Sequence, residues 1–218
     1  MIQTKTTKEV FLLQLTDFDK ELLSMTSVPE EVLQIIKDSF GLPIYQYFGY
    51  SDEELDYVPF DGVCVNLGKM QYPGHEIRAF VEELNRHFTE RALPFTAFGS
   101  EYFIELEDGD DCVAVIPGTD AMAPVRAAGT AGFNAGISNE DIINTLLKWK
   151  TDFETEFKII YADMQQIDAA FIKRPLDLKA FAEEIHDFSP DLTDRLEDGE
   201  NSLVKLMTED NMFSLYWD

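Results

Sequence analysis

His186 lies between Ile185 and Asp187, beside the Glu183-Glu184 pair, acidic neighbours close enough in sequence to hold its tautomer. A general base needs that kind of orienting carboxylate. No Ser or Cys stands recognisably against it, Ser189 being only three residues on along a helix that is ending, so an exposed helix histidine is the simpler reading. His75 and His87 are twelve residues apart and do not make a metal pair. The carboxylates Asp163, Asp168, Asp177, Glu183, Glu184, Asp187, Asp191 and Asp218 have the oxygen chemistry that magnesium or calcium requires. A run such as 183–200, with eight acids and the single base Arg195, is more simply a solvated face. Asp177 and Asp191 have the plainer work of capping and turn-making next to Pro. No metal site and no cofactor is assigned.

The stretch Gly129-Thr130-Ala131-Gly132-Phe133-Asn134-Ala135-Gly136 precedes a helix, and its glycines would let backbone N–H groups approach a phosphate. It lacks both the Lys of a P-loop and the G-x-G-x-x-G spacing, so a structural turn that positions Asn134 is the better expectation. Cys64 and Cys112 each sit among Val residues without C-x-x-C or Cys/His spacing, and read as small buried hydrophobes.

Those residues are set in a chain of 218 residues, 45% hydrophobic and 12% aromatic, enough to bury a large core. Its 42 acids against 17 Lys and Arg give a formal charge of −25. That field repels phosphate backbones and anionic membranes, which excludes nucleic acid as a natural partner, and it would speed encounter with a basic protein. Neither a secretory signal nor a membrane-length apolar run is visible, which leaves the cytoplasm as the expected location.

The spacing of Phe11, Leu15, Phe18, Leu22 and Met25 predicts an amphipathic helix with a weak point near Thr16. Ser27-Val28-Pro29-Glu30 predicts the capped start of a second helix, ended by Gly41. A short strand, a loop with a turn at Pro59 to Gly62, and a strand at Val63 to Leu67 follow. Ile77, Phe80, Val81, Leu84 and Phe88 mark a helix; strands are expected at 95–98, 101–107 and 112–116, the last two joined by a turn at Asp108-Gly109-Asp110. A further strand is expected at Pro124 to Ala128, and Ser138 to Asp141 reads as a capping box. Strands at 157–162 and 167–172, helices at 178–188 and 203–207, and a terminal strand at 212–217 complete the pattern. Without sustained βαβα alternation this is an α+β protein. It should have a mixed or antiparallel sheet with packed helices and a helical N-terminal segment, residues 1–60, joined to an α/β unit, residues 61–218, as one cooperative body.

Residues 110–218 carry, in order, Arg126-Ala127-Ala128-Gly129-Thr130-Ala131-Gly132-Phe133-Asn134, Leu147-Lys148-Trp149, Pro175-Leu176-Asp177, Ala182-Glu183-Glu184, Phe188-Ser189-Pro190-Asp191 and Tyr216-Trp217-Asp218. In that order and spacing the segment resembles the bacterial family called domain of unknown function 4253, which implies a compact α/β domain and no established activity. The family pattern has Cys where Ser189 stands, Trp where Tyr216 stands and usually an aromatic where Ala135 stands. Ser at 189 counts against an obligatory cysteine nucleophile. The candidate binding residues are Arg126, Thr130, Asn134, Glu184, His186, Asp191 and Asp218. Arg126, Asn134, Glu184, Asp191 and Asp218 are expected to converge at one end of the C-terminal sheet, with Arg126 or Arg174 meeting the terminal charges.

Charge without a catalytic signature points to a non-enzymatic protein-binding module, immunity or antitoxin-like, that engages a basic partner through acidic patches at 101–111 and 183–200. The alternative is a metal-dependent hydrolase or small-ligand enzyme built on Asp163, Glu184, Asp191 and His186, which requires those side chains to meet in one pocket.

Overall fold

The computed structural model describes residues 15–51, 53–71, 73–102, 109–194, 196 and 199–218. Phe11, most of the strand expected at 101–107, and Arg195 lie outside the described residues. Helix α1 (Asp17–Met25) begins at the predicted weak point: the Thr16 hydroxyl accepts from the Asp19 N–H (3.1 Å) and the Asp19 carboxylate from the Thr16 N–H (2.7 Å). The poor helix formers there are the cap. Asp19 also pairs with Lys37 of α2 (Glu30–Phe40) at 3.1 Å in a buried contact that ties the two helices together. Ser27 does not cap α2. The cap position is Pro29, which has no side chain to offer, and the Ser27 N–H donates instead to Asp61.

Strands β1 (Tyr45–Ser51) and β2 (Asp56–Gly68) are antiparallel, and β2 begins well before Val63. The turn signals at Pro59 to Gly62 mark a bulge rather than a loop: Gln46 faces Val63 and Phe48 faces Pro59, so Phe60, Asp61 and Gly62 are accommodated opposite Tyr47 alone. Helix α3 (Pro73–Glu90), β3 (Phe95–Tyr102) and β4 (Asp110–Pro117) follow. The segment expected as a strand at Pro124 to Ala128 is helix α4 (Ala123–Ala128); Pro fits the first helical turn, and the alanines carry no β-branching to favour extension. The rest of the chain is α5 (Asn139–Asp152), β5 (Glu156–Ala162), β6 (Gln166–Lys173), α6 (Leu178–Phe188), α7 (Pro190–Asp194), α8 (Gly199–Glu209) and β7 (Met212–Tyr216).

The strands form one sheet in the order β1-β2-β4-β3-β5-β6-β7, antiparallel at each step except the parallel pair β3 and β5. The fold is therefore α+β with a mixed sheet. Helices cover both faces: α1, α2 and α3 pack on Val63, Val65, Val113 and Val115, while α4, α5, α6 and α8 pack on Cys64, Cys112, Ala114 and Ile116. Trp149 is the aromatic centre of the second layer, edge-on to Phe181 (5.3 Å between centroids) and Phe188 (5.7 Å). The C-terminal half is keyed to β1 at Gly129, whose φ of 69° ends α4 and where a Cβ would lie 2.1 Å from the Tyr50 carbonyl oxygen. Only glycine meets both requirements. No helix among the described residues is long and apolar enough to cross a membrane.

Candidate functional site

The parallel step between β3 and β5 brings the end of β3, the start of β4, the end of β5 and the start of β6 to one end of the sheet. A cleft of about 500 Å³ opens there, lined by Lys69, Glu101, Asp111, Tyr161, Asp163 and Gln166 among others. Tyr161 reaches it through a bulge in β5: Ile159 faces Ala169 and Tyr161 faces Asp168, so Ile160 is the extra residue. The bulge turns Tyr161 to the α3 face, where strict alternation from Ile159 would have sent it to the other layer.

The Tyr161 hydroxyl donates to Asp111 Oδ1 at 3.1 Å, with the Asp163 carboxyl lining the same cleft. Asp111 Oδ2 accepts from the Met70 N–H at 2.7 Å. Burial pushes the Asp111 carboxyl above its ordinary value despite those two hydrogen bonds. Burial likewise pushes the Asp163 carboxyl up to about 6, although its Oδ1 accepts from the N–H groups of Gln165 (2.7 Å) and Gln166 (2.6 Å). The Tyr161 phenol is raised by burial and then by the negative charges of Asp163 and Asp111. Beneath them Asp168, 5% exposed, accepts from the Gln166 amide at 2.8 Å, and the start of α3 lies so close to it that a Cβ on Gly74 would fall 2.0 Å from its Oδ2. Neither Asp111 nor Asp163 has a cationic partner among the described residues.

Three further aromatics, outside the lining of the cleft, form a separate group. Tyr50 stands edge-on to Tyr57 (5.6 Å) and to Phe133 (5.3 Å), and the Tyr57 phenol is raised by burial and then by the charges of Glu101 and Asp163. Carboxylates in a cleft suit a cation, through charge-assisted hydrogen bonds. Asp163, raised to about 6, can also hold a proton near neutrality.

The predicted site residues divide among several tasks. Thr130, fully buried, donates to the Asp163 carbonyl at 2.5 Å and so fixes the turn that carries the cleft's carboxylate. The Gly-rich stretch continues that work, the Ala131 N–H donating to the Met164 carbonyl. Asn134, Asp191 and Asp218 do come together: the Asn134 amide donates to the Asp218 carbonyl, and the Asp218 N–H donates to Asp191 Oδ2 at 2.9 Å. With them Trp217 N–H donates to the Gln165 carbonyl (3.0 Å) and its indole to the Phe188 carbonyl (3.2 Å), which locks the last residues against the end of α6.

Glu184 and Arg126 do not join that group. Glu184 accepts from the Trp149 indole at 3.3 Å, and Arg126 pairs with Asp120 on the exposed side of α4. Arg174 is likewise held elsewhere, by Asn211. The expected five-residue convergence is thus three, because α4 and α6 project their polar faces away from the chain end. His186 Nδ1 lies 2.6 Å from the Thr193 hydroxyl, whose proton goes to the Pro190 carbonyl (2.8 Å), so Nδ1 is the donor. Ser189 is wholly buried, donating to the Tyr216 carbonyl (2.7 Å) and accepting from its N–H (2.8 Å), a backbone clasp rather than a nucleophile. Among the described residues no group of three or more His, Cys, Asp or Glu is placed to hold a metal ion.

Sequence reading missed the pairing of Asp111 with Tyr161. Asp111 and Glu101 lay inside the acidic patch at 101–111, but nothing marked Tyr161 as their neighbour. The molecule is thus an α+β protein with a seven-stranded mixed sheet and a cleft at one end of its central strands that Glu101, Asp111 and Asp163 line. Residues 112–218, a stretch that includes Tyr161, Asp163 and the chain-end lock, match the model of the family described as Domain of unknown function (DUF4253). No curated protein and no solved structure matches the chain.

Proposed function

We propose that this protein is a non-enzymatic binding module, of the immunity or antitoxin kind, whose basic partner inserts a cationic side chain into the cleft between Asp111 and Asp163. The observation that carries the reading is the pair of carboxylates, Asp111 buried and Asp163 half-buried, that line the cleft beside Tyr161 and have no ion-pair partner among the described residues. Burying carboxylates without a counter-charge is costly, and a Lys or Arg from a partner would relieve that cost while the −25 field steers it in.

The test is fluorescence anisotropy with a labelled Arg-rich peptide across a salt series, on the wild-type protein and on Asp111→Asn and Asp163→Asn. Insertion into the cleft predicts a loss of affinity of about tenfold for either substitution at physiological salt. A control that neutralises the exposed Glu183 and Asp187 on α6 should change the salt dependence and little else. Peptide binding that is equally strong in all variants would reduce the interaction to diffuse attraction by the acidic surface and remove the cleft from the proposal.

A further inference from the structure

We propose that the opposite end of the sheet holds a second site, for a small monoanionic organic acid whose carboxylate pairs with Lys150. There β4 has ended, β3 and β5 begin and β6 runs out, and a cavity of about 720 Å³ lies between these strand ends and the last turn of α5. That volume is in the usual range for small-molecule sites. Three lysines line it. Lys158 is taken by Glu82 at 3.0 Å, and Lys173 faces Glu154 at 4.0 Å. Lys150 forms no ion pair among the described residues; its ammonium sits 4.6 Å from the centroid of the Phe157 ring.

Burial pulls the Lys150 ammonium below its ordinary value, against the attraction of Glu156 and Asp120. Asp120 pairs with Arg126 and accepts from the Met122 N–H, and makes no ion pair with Lys150. The cavity therefore offers one partly desolvated, uncommitted cation fixed over an aromatic face. Such a cation gains most from a ligand carboxylate, since both charges are then paired away from bulk water. Phe157, Ile159 and Ile172 add apolar wall, Ile172 being 67% exposed at the mouth although it is a large aliphatic side chain.

The charge balance selects the ligand class. Three lysines against Asp120, Glu154 and Glu156 leave the lining near neutral, in a protein of formal charge −25. A polyphosphate would meet three carboxylates and a repulsive outer field, whereas a monoanion with an apolar body needs only one cation and a hydrophobic wall.

The experiment is an NMR titration of the full chain with benzoate and, separately, with inorganic phosphate, following the amide resonances around Lys150, Phe157 and Thr119. Benzoate should shift them saturably and phosphate should not. Lys150→Met, which keeps the stem on Phe157, should weaken benzoate at least about tenfold, while Lys148→Met, on an exposed residue paired with Asp152, should leave it unchanged. Ile172→Glu, at an exposed position that tolerates substitution, should weaken benzoate by placing a like charge at the mouth. Absence of saturable shifts, equal response to phosphate, or benzoate affinity indifferent to both Lys150→Met and Ile172→Glu would each overturn the assignment.

Discussion

Replacing Asp163 with Asn separates what the cleft needs from what the fold needs. The turn after β5 depends on Asp163 Oδ1, which accepts from the N–H groups of Gln165 and Gln166 at 2.7 and 2.6 Å. An amide oxygen can accept both, so the turn survives and only the charge is removed. The folded carboxyl titrates at about 6, against ~3.9 for an unfolded Asp. A gap of about two units at ~1.4 kcal/mol each sets a ceiling near 3 kcal/mol. Because Asp163 is half-buried and partly screened by solvent, about 1–2 kcal/mol is the realistic figure. Its sign follows from the raised value: the folded state holds this proton longer than the unfolded chain does. The stability that Asp163 contributes is therefore complete below about pH 4 and is lost as the pH rises through about 6. Urea unfolding of wild type and Asp163→Asn in parallel should show the variant gaining on the wild type across that window. The gain should then hold level, leaving the variant more stable at pH 7 while its affinity for the Arg-rich peptide falls. A stability difference that is flat with pH, or that favours the wild type at pH 7, would refute the account of Asp163 as a carboxylate held at a cost for a partner.

Two further substitutions test how the cleft is supported. Ser189→Ala leaves the Tyr216 N–H and carbonyl without their buried partner and should cost roughly 2–4 kcal/mol, read as a fall in Tm of about 5–15 °C by calorimetry, with Ser189→Cys losing less. A loss below about 0.5 kcal/mol would mean the clasp is replaceable. Gly129→Ala should cost roughly 2–4 kcal/mol because its Cβ would strike the Tyr50 carbonyl, whereas Gly136→Ala, at the same φ of 69° but facing open space, should cost only ~1–2 kcal/mol; equal losses would show that contact with β1 is not what Gly129 provides.

What the sequence discloses here is what neighbouring residues settle among themselves. The Ser138 capping box forms as predicted, its hydroxyl accepting from the Asp141 N–H at 3.2 Å, and Phe181, Ala182 and Ile185 turn inward as their helical spacing requires. Where a short segment offers two local solutions, the reading slips: the Ser27 pattern yields to Pro29, and six residues at Ala123–Ala128 are too few for periodicity to distinguish helix from strand. The chain-end lock was partly visible because Asn134, Asp191 and Trp217-Asp218 sit beside turns and helix ends, where backbone groups must find partners. The cleft was not, and the reason is topological. Asp111 and Tyr161 are fifty residues apart, and they meet only because β3 separates β4 from β5 and pairs with them antiparallel and parallel respectively. Even that would be insufficient without the extra residue at Ile160, since a regular β5 would send Tyr161 into the opposite layer. A one-residue irregularity in a strand thus decides whether Tyr161 stands in the cleft between the carboxylates of Asp111 and Asp163 or in the opposite layer.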